Sequence, residues 1–462
     1  MSRECSAIER FLARNEKQVL LLSFLLALTA RVAVVFWLRN FLAPIGSEYE
    51  GIAINLLDGK GYSLAPFFGI GYFQRTSWAA PTYPFLLAFA FSLGGVYSHY
   101  SFLIVELAQV LLASATCLVI YGIASHLLGR VVGLVALLMV AVYPDFVYMP
   151  TQHRPITLIV FLLCCDVLCL LVLEKKPSTK WALITGIVTG LLTLTEPVTL
   201  AFVVLAFGWF LFVSTAAIGV KIKIVLSIAA VGFAIILPWT VRNYVVHGKL
   251  ILVKSTFGYQ LWSGNNPDAT GTLRLQIPSN GDPGVHDSSR GIPADSETRL
   301  WKEKQRMPLI ASKMPVALRS TLETLPEVRA DGVLFDIAIK YILQNRRRFL
   351  ELTVARIYYF WWFDPTNPLA RSFIYRLPWI IVFPLSVAGM FLSQRQWKDL
   401  SLVYFLVIAL TLPYIITVIE ARFRMPIEPF VMVFAAYTVV TFCGFLLSVF
   451  RSLRGAALPN SF

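Results

Sequence analysis

The chain has 462 residues, of which 57% are hydrophobic and 14% are charged, and its formal net charge is +14. With a mean hydropathy of +0.70, too few polar residues remain to cover a soluble globule, so the composition excludes that class and indicates a polytopic membrane protein. The basic residues cluster at the ends of apolar runs, which is typical of membrane topology and argues against nucleic acid as a partner.

The cysteines predict neither disulfides nor a metal site. Five of the six lie inside apolar runs, and Cys5 lies in the basic N-terminal tail. None lies in the long polar loop, and no Cys/His spacing is typical of a metal site, so no metal or cofactor is expected. The N-terminus is too long and too acidic for a signal peptide, so we expect the first apolar run to be a retained helix.

Runs of apolar residues predict the membrane spans, each of which needs about 20 residues. We place ten spans near 18–38, 101–126, 131–149, 155–174, 181–196, 198–217, 222–243, 372–393, 399–418 and 427–450. The apolar run at 81–97 is shorter and has two prolines near its start. It predicts either a half-helix that enters and leaves the membrane on one side, or an eleventh span.

The distribution of basic residues predicts the orientation. With ten spans, the basic connections all fall on one face, which the positive-inside rule assigns to the cytoplasm. The N- and C-termini are then cytoplasmic in an inner (plasma) membrane. Two large loops, 39–100 and 244–371, lie outside, and they divide the chain into an N-terminal membrane module (1–243), an outer loop region (244–371) and C-terminal spans with a tail (372–462).

The second outer loop carries the clearest break in composition. It has a Gly/Pro/Ser stretch at 278–293 and a charged helical region at 295–350. Its apolar, aromatic end at 349–362 follows three arginines, so we interpret it as an interfacial helix rather than a span.

The first outer loop contains an amphipathic helix with two acids, in the sequence SEYEGIAINLLDGKGY at 47–62. At 100° per residue, Glu48 flanks the apolar stripe, whereas Glu50 lies roughly 160° from Glu48 in the helical projection. The two carboxylates are therefore not expected to share a site. Glu48 is the better candidate for chemistry in a cleft.

Other ionisable side chains near the outer ends of spans are candidates for a shared cavity, since such groups are costly at membrane depth. They are Arg31, Arg39, Glu106 with Gln109, Asp145, His153 with Arg154, Glu196, Arg242, and Glu420 with Arg422. Structural roles stay open for several of them: snorkelling for Arg31, helix contacts for Glu106 and Gln109, and a helix cap for Asp145. Asp166 lies mid-span and is interpreted as a paired structural acid.

An ordered set of motifs between residues 48 and 426 resembles glycosyltransferase family 39, which includes protein mannosyltransferases and lipid A aminoarabinose transferases. The motifs are E-x-x-x-I-A-x-x-L-x-x-G-x-G-[FY] from Glu48, Thr76-x-x-Ala79-x-Pro81-x-Tyr83-Pro84, Gly94-x-Val96-Tyr97-Ser98, Tyr143-Pro144, Gly186-x-x-x-Gly190, Thr195-x-Pro197, Pro238-Trp239-x-x-Arg242-Asn243-Tyr244, Phe257-Gly258 through Asn265-Asn266-Pro267, and Arg422-Phe423-Arg424-x-Pro426. The resemblance implies an all-α polytopic membrane protein with a GT-C-type bundle of about ten to eleven helices.

The resemblance also implies an activity: inverting transfer of a sugar from a polyprenyl-phosphate-linked donor on the outer face of the membrane. The family's first-loop acid is the base on the acceptor, a role that falls on Glu48 by position. The leaving phosphate requires cations, for which the candidates are Arg31, Arg154, Arg242 and Arg422. Within the same motifs, Tyr83, Asn243 and Glu196 are predicted to bind substrate.

The chain departs from the family pattern in two places. Many relatives carry a second acid at the start of the fourth span, where this chain has Gln152-His153-Arg154-Pro155, and Tyr49 replaces the second member of the first-loop acidic pair. Relatives of the family are generally metal-independent. The acceptor stays open between membrane lipid, polysaccharide and protein. A lipid-linked-sugar transporter or flippase and a non-catalytic subunit of an envelope polysaccharide complex are the alternatives.

Overall fold

The computed structural model describes residues 3–44, 47–64, 74–272, 314–364 and 372–456. Within these ranges the regular secondary structure is helical, apart from two antiparallel two-residue strands, β1 (Ser63–Leu64) and β2 (Gln74–Arg75), and an isolated parallel bridge between Thr272 and Ile419. The helices before the long outer loop are α1 (Arg3–Leu38), α2 (Glu48–Leu57), α3 (Thr82–Gly94), α4 (His99–Leu128), α5 (Arg130–Val142), α6 (Pro144–Tyr148), α7 (Ile156–Lys175), α8 (Thr179–Thr195), α9 (Leu200–Val213) and α10 (Ile218–His247). Those that follow are α11 (Phe257–Gly264), α12 (Val316–Glu323), α13 (Glu327–Gln344), α14 (Arg346–Trp361), α15 (Phe373–Leu392), α16 (Trp397–Ile416) and α17 (Glu428–Ala456).

All ten predicted spans fall on helices. Among the described residues, seven helices are long and apolar enough to cross a membrane: α1, α4, α7, α10, α15, α16 and α17. The segment predicted as the third span is bent by 59° between Arg130–Val142 and Pro144–Thr151, where Pro144 starts the second piece. The fifth and sixth predicted spans, α8 and α9, are shorter apolar helices. The protein is therefore a multi-pass membrane protein.

The two loop regions that are predicted to lie outside the membrane, 39–100 and 244–371 (the outer loops), contain short helices, as their composition predicts. Helix α3 has 13 residues, which suits the half-helix interpretation of the run at 81–97. Helix α14 corresponds to the predicted interfacial helix. The Gly/Pro/Ser stretch at 278–293 lies outside the described residues.

Two glycines of the Gly186-x-x-x-Gly190 motif explain how α8 packs against α10. A Cβ atom at Gly186 would lie 2.7 Å from the Cβ of Val231, and one at Gly190 would lie 2.9 Å from the Cβ of Ile235. Small residues four apart let two helices approach closely in a membrane, where no hydrophobic effect drives them together. The motif thus fixes the position of α10 against α8.

One hydrophobic core joins the beginning and the end of the chain. Its buried members include Ala27 of α1, Cys117 of α4, Trp209 of α9 and Phe430 of α17. The N-terminal and C-terminal membrane segments therefore pack as one bundle, and the outer loop region of 244–371 is inserted between them in sequence.

Candidate functional site

A cavity of about 710 Å³ lies where the outer loops meet the ends of several spans. Its wall combines α2, the start of α7, the turn between α8 and α9, the segment at 250–257, α13, and the stretch between α16 and α17. The charged side chains that line it are Glu48, Arg154, Glu196, Lys254, Asp331 and Arg422. Four of the eight predicted site residues are thus brought together: Glu48, Arg154, Glu196 from the α8–α9 turn, and Arg422.

Glu48 starts α2, and the helix turns the neighbouring acid Glu50 away from the cavity. The Oε2 atom of Glu50 accepts hydrogen bonds from the backbone N–H of Ser47 at 3.1 Å and from the hydroxyl of Tyr97 at 3.2 Å. Glu50 is therefore a buried capping residue, whereas Glu48 is half-buried and lines the cavity. This placement matches the predicted separation of the two carboxylates.

Arg154 lies in a turn that helix α4 holds in place. The Nε2 atom of Gln109 donates to the backbone oxygens of Pro150 and Gln152, both at 2.9 Å. One turn earlier on the same helix, Glu106 lies 3.0 Å from the Nε2 atom of the buried His153. These contacts fix the turn just before the residue that carries the cavity-lining guanidinium. Glu106 and Gln109 thus act as helix contacts, as one of the two interpretations expected.

Tyr83 connects this turn to the helix that carries Glu48. Its hydroxyl donates to the Oε1 atom of Gln109 at 3.3 Å, and its ring packs edge-to-face on Tyr49 with the centroids 5.5 Å apart. Its side chain is buried and does not line the cavity. Tyr83 therefore does not contact the contents of this cavity, contrary to the prediction that it binds substrate. It supports the cavity wall through Tyr49 and Gln109.

Two ion pairs occupy other parts of the wall. Lys254 lies 3.7 Å from Glu196, and Arg422 lies 2.7 Å from Glu420. Lys254 is absent from the predicted site. The signal that could have identified it is its position as the lone charge after an apolar run, Leu250-Ile251-Leu252-Val253, just beyond the seventh predicted span.

Arg242 and Asn243 do not line the cavity, contrary to the sequence-based prediction. Arg242 donates to the backbone oxygens of Thr76 at 2.6 Å and Tyr62 at 2.8 Å, and its guanidinium lies 4.8 Å from the Trp239 ring centroid. Both backbone oxygens belong to the first outer loop, so Arg242 connects that loop to α10.

Asn243 fastens the next segment of the wall to the same helix. Its Nδ2 atom donates to the backbone oxygens of Ile251 at 3.1 Å and Val253 at 3.2 Å, and its Oδ1 atom accepts from the Ser77 hydroxyl at 2.7 Å. Its side chain is fully buried. The motif that contains Arg242 and Asn243 therefore builds the wall of the cavity instead of contacting its contents.

Arg31 lies inside the bundle and does not line the cavity, contrary to the prediction that it binds substrate. Its side chain is fully buried and donates to the backbone oxygens of Ala27 at 2.9 Å, Val140 at 3.2 Å and Ala141 at 3.2 Å. Buried charged groups need such hydrogen bonds. The guanidinium therefore joins α1 to the end of α5, where the helix bends.

Helix α13 contributes two acids, four residues apart on one face, that the sequence did not predict as site residues. Glu327 accepts from the hydroxyls of Thr76 and Ser255, and from the Ser77 N–H at 2.9 Å. Asp331 accepts from the N–H groups of Gly258 at 3.0 Å and Tyr259 at 2.8 Å.

The Asp331 contacts cap the start of α11 and close the outer side of the cavity. Burial raises the pKa of Asp331, the charge of Glu327 adds to that effect, and the two N–H bonds oppose it. The i, i+4 spacing of the two acids was the available sequence signal. In the part of the chain that the structure describes, no group of three or more His, Cys, Asp or Glu side chains could hold a metal ion.

Comparisons with known proteins identify a matching family and similar structures. Residues 78–241 match the family described as dolichyl-phosphate-mannose-protein mannosyltransferase. The apo oligosaccharyltransferase of Archaeoglobus fulgidus has a similar structure, with a TM-score of 0.55 and 14% identity over 96% of this chain and 52% of that one. The oligosaccharyltransferase AglB from the same organism, in complex with an inhibitory peptide and a dolichol-phosphate, gives a TM-score of 0.54, with 13% identity and the same coverage.

A weaker match is ArnT from Cupriavidus metallidurans bound to undecaprenyl phosphate, with a TM-score of 0.36 and 13% identity over 88% of this chain and 78% of that one. No curated protein matches the chain in sequence. The chain spans about half the length of the archaeal oligosaccharyltransferase. The predicted resemblance is thereby confirmed: the chain has the fold of the GT-C glycosyltransferases, and its residues 78–241 match a mannosyltransferase family of that group.

Proposed function

We propose that the protein is a membrane glycosyltransferase that moves a sugar from a polyprenyl-phosphate-linked donor to an acceptor on the outer face of the inner membrane, with inversion. One observation carries the proposal: Glu48 and Arg154 line the same cavity, and neither forms an ion pair with another described residue. The other charged side chains of the wall are already bonded: Glu196 pairs with Lys254, Arg422 pairs with Glu420, and Asp331 accepts two backbone N–H groups. An unpaired carboxylate and an unpaired guanidinium are the two charges that the reaction needs.

Glu48 acts as the general base in this mechanism. Its carboxylate takes the proton of the acceptor group while the acceptor atom attacks the anomeric carbon from the face opposite the phosphate. The bond between that carbon and the phosphate oxygen breaks, and the polyprenyl phosphate leaves with the electron pair. Attack from the opposite face inverts the anomeric configuration.

Arg154 stabilises the leaving phosphate. A guanidinium can donate two parallel hydrogen bonds to phosphate oxygens, and this interaction strengthens as negative charge develops there. The turn that holds Arg154 is fixed by α4, so little reorganisation is needed during the reaction. Lys254 and Arg422 add positive charge to the same wall, although each is partly neutralised by its acidic neighbour.

The size and lining of the cavity suit a donor with a polar head and an apolar tail. Its volume of about 710 Å³ lies within the range of roughly 300–1,000 Å³ typical of small-molecule sites. Leu250, Leu252 and Phe257 line it and are exposed, so they offer an apolar surface to a polyprenyl chain. The acceptor, whether lipid, polysaccharide or protein, would enter beside Glu48.

The test replaces Glu48 in cells that lack the native protein and measures the envelope glycans by mass spectrometry. Glu48→Gln keeps the shape of the side chain but removes the base, so we expect restoration of the missing sugar to fall about 10²- to 10⁴-fold. Glu50→Gln, two residues away, keeps an acceptor oxygen for its cap and should restore the sugar. Asp58→Asn, at the exposed end of the same helix, is a second control.

Immunoblots of isolated membranes establish that the three variants accumulate equally. Normal restoration of the sugar by Glu48→Gln would contradict the proposed base and favour a transporter of lipid-linked sugars, which needs no base.

A further inference from the structure

Helix α14 has an apolar stripe on the side that does not pack against the protein. Leu352, Arg356 and Phe360 face the bundle and are buried. The opposite side, roughly 145° away at 100° per residue, carries four exposed side chains: Leu350, Val354, Ile357 and Tyr358. Their exposed fractions range from 43% for Ile357 to 66% for Val354. A helix that is apolar on both sides needs a second apolar environment.

The preceding helix, α13, repeats this arrangement. Ala330, Leu334 and Ala338 are buried, and the exposed Phe335, Ile339 and Leu343 follow one another at intervals of four residues on the other side. The Phe335 ring also packs on the exposed ring of Phe257, with the centroids 6.0 Å apart. We call the two stripes together the outer apolar face, which comprises residues 335, 339, 343, 350, 354, 357 and 358.

Three consecutive arginines lie at the joint between the two helices. Arg347 and Arg348 lie 3.2 and 3.3 Å from the two carboxylate oxygens of Glu351, and the Arg347 side chain is 95% exposed. With Arg346, the joint carries three cations and one acid, so it has a net positive charge. Arginine beside an apolar helix face is typical of segments that lie at the level of lipid phosphates.

We propose that the outer apolar face inserts into the outer leaflet of the membrane, with the phosphates of anionic lipids bound at Arg346, Arg347 and Arg348. Two observations favour lipid over a protein partner: the surplus of positive charge at the joint, and the continuity of the chain into the membrane. Helix α14 ends at Trp361, and the next span begins at Phe373 and Ile374, whose side chains are exposed. The inference is independent of the proposed enzymatic activity.

Lipid contact at this face also anchors the cavity. Helix α13 carries Glu327 and Asp331, which hold the first outer loop and α11 in place. An α13–α14 pair seated in the leaflet therefore positions the outer wall of the cavity at a fixed depth relative to the headgroups.

The test measures contact with lipid directly, using a bimane fluorophore on an introduced cysteine of the full-length protein. Val354→Cys and Ile339→Cys lie in the two stripes. Lys340→Cys is the matched control, since Lys340 is exposed on the polar side of α13 beside Ile339. Each protein is reconstituted in vesicles of phosphatidylcholine and phosphatidylglycerol, with and without a phosphatidylcholine that carries a nitroxide near the headgroup end of its acyl chain. The unsubstituted protein treated with bimane gives the background from native cysteines.

We expect the nitroxide lipid to remove most of the bimane fluorescence at positions 354 and 339 and little of it at position 340. Replacing phosphatidylglycerol by phosphatidylcholine should reduce the quenching at 354, and Arg346→Gln/Arg347→Gln should abolish that dependence. Equal and weak quenching at all three positions would overturn the proposal, whether the face lies in water or is covered by protein. Quenching at 354 that ignores both phosphatidylglycerol and the arginine substitutions would overturn the binding of anionic lipid.

Discussion

The cavity and the junction around Arg356 share the end of helix α16, yet they use arginine in different ways. At the cavity, the half-buried Arg154 forms no ion pair with a described residue. At the junction, the fully buried Arg356 donates to the backbone oxygens of Gly264, Ile415 and Ile416, and to the Oδ1 atom of Asn265. The Arg154 guanidinium is the one proposed to bind a ligand, whereas hydrogen bonds within the fold hold the Arg356 guanidinium.

The buried arrangement recurs elsewhere in the protein. Arg31 and Arg424 also direct their donors at backbone oxygens, and Arg424 pairs in addition with Glu428 at 2.6 Å. Burial lowers the pKa of Arg356 to about 10, so it remains charged at neutral pH and the carbonyl groups must solvate it. The comparison teaches that the partners of a guanidinium, and not its position near a span end, separate candidate ligand contacts from structural arginines.

Among the arginines, the largest effect on activity is expected from Arg154. Arg154→Ala should lower sugar transfer about 10²- to 10³-fold, the usual loss when one donor to a developing anion is removed. Arg154→Lys keeps the charge but not the two-pronged geometry, so it should recover only part of the loss. The measurement is the restoration of the envelope sugar in cells, with the thermal unfolding midpoint of each purified variant as the control. Full activity of Arg154→Ala would remove this residue from the site.

Arg356→Ala should show the opposite pattern, with its main effect on stability. The substitution leaves several buried carbonyl oxygens without donors, which we expect to cost about 3 kcal/mol or more, since each such group costs roughly 1–3 kcal/mol. Thermal unfolding of the detergent-solubilised protein measures this effect, and Arg154→Ala is the matched comparison. If the two variants unfolded at the same temperature, the distinction between the two kinds of arginine would fail.

The sequence could predict which arginines lie near the outer surface, but not which of them are already bonded. Hydropathy and length locate all ten predicted spans on helices, and helical periodicity separates Glu48 from Glu50, because both signals are local. The partners of Arg31 and Arg242 are not local: Ala141 lies 110 residues from Arg31, and Thr76 lies 166 residues from Arg242. No periodicity reports such contacts. Lys254 and Glu327 carry local signals of their own, but the residues that they bond are likewise distant in sequence.

Asp331 is intermediate between the cavity-lining Arg154 and the buried Arg356. It lines the cavity, but its oxygens already accept hydrogen bonds from two backbone N–H groups. Its pKa in the folded protein is raised above the ordinary value of 3.8, chiefly by burial. Between these two pKa values the folded chain holds more protons than the unfolded chain, so this group makes the protein less stable as the pH rises through that window. Above the window its cost is constant.

Asp331→Asn removes the ionisation and should flatten this part of the stability profile, with the smallest effect of the substitutions considered. The measurement is the unfolding midpoint of variant and native protein at a series of pH values from below 3.8 to neutral. Asp336→Asn is the control, because Asp336 is exposed on the same helix. A difference between Asp331→Asn and the native protein that does not change with pH would mean that the N–H bonds balance the effect of burial on the pKa of Asp331. Asp331 would then be a structural cap of α11 whose ionisation does not change the stability of the fold.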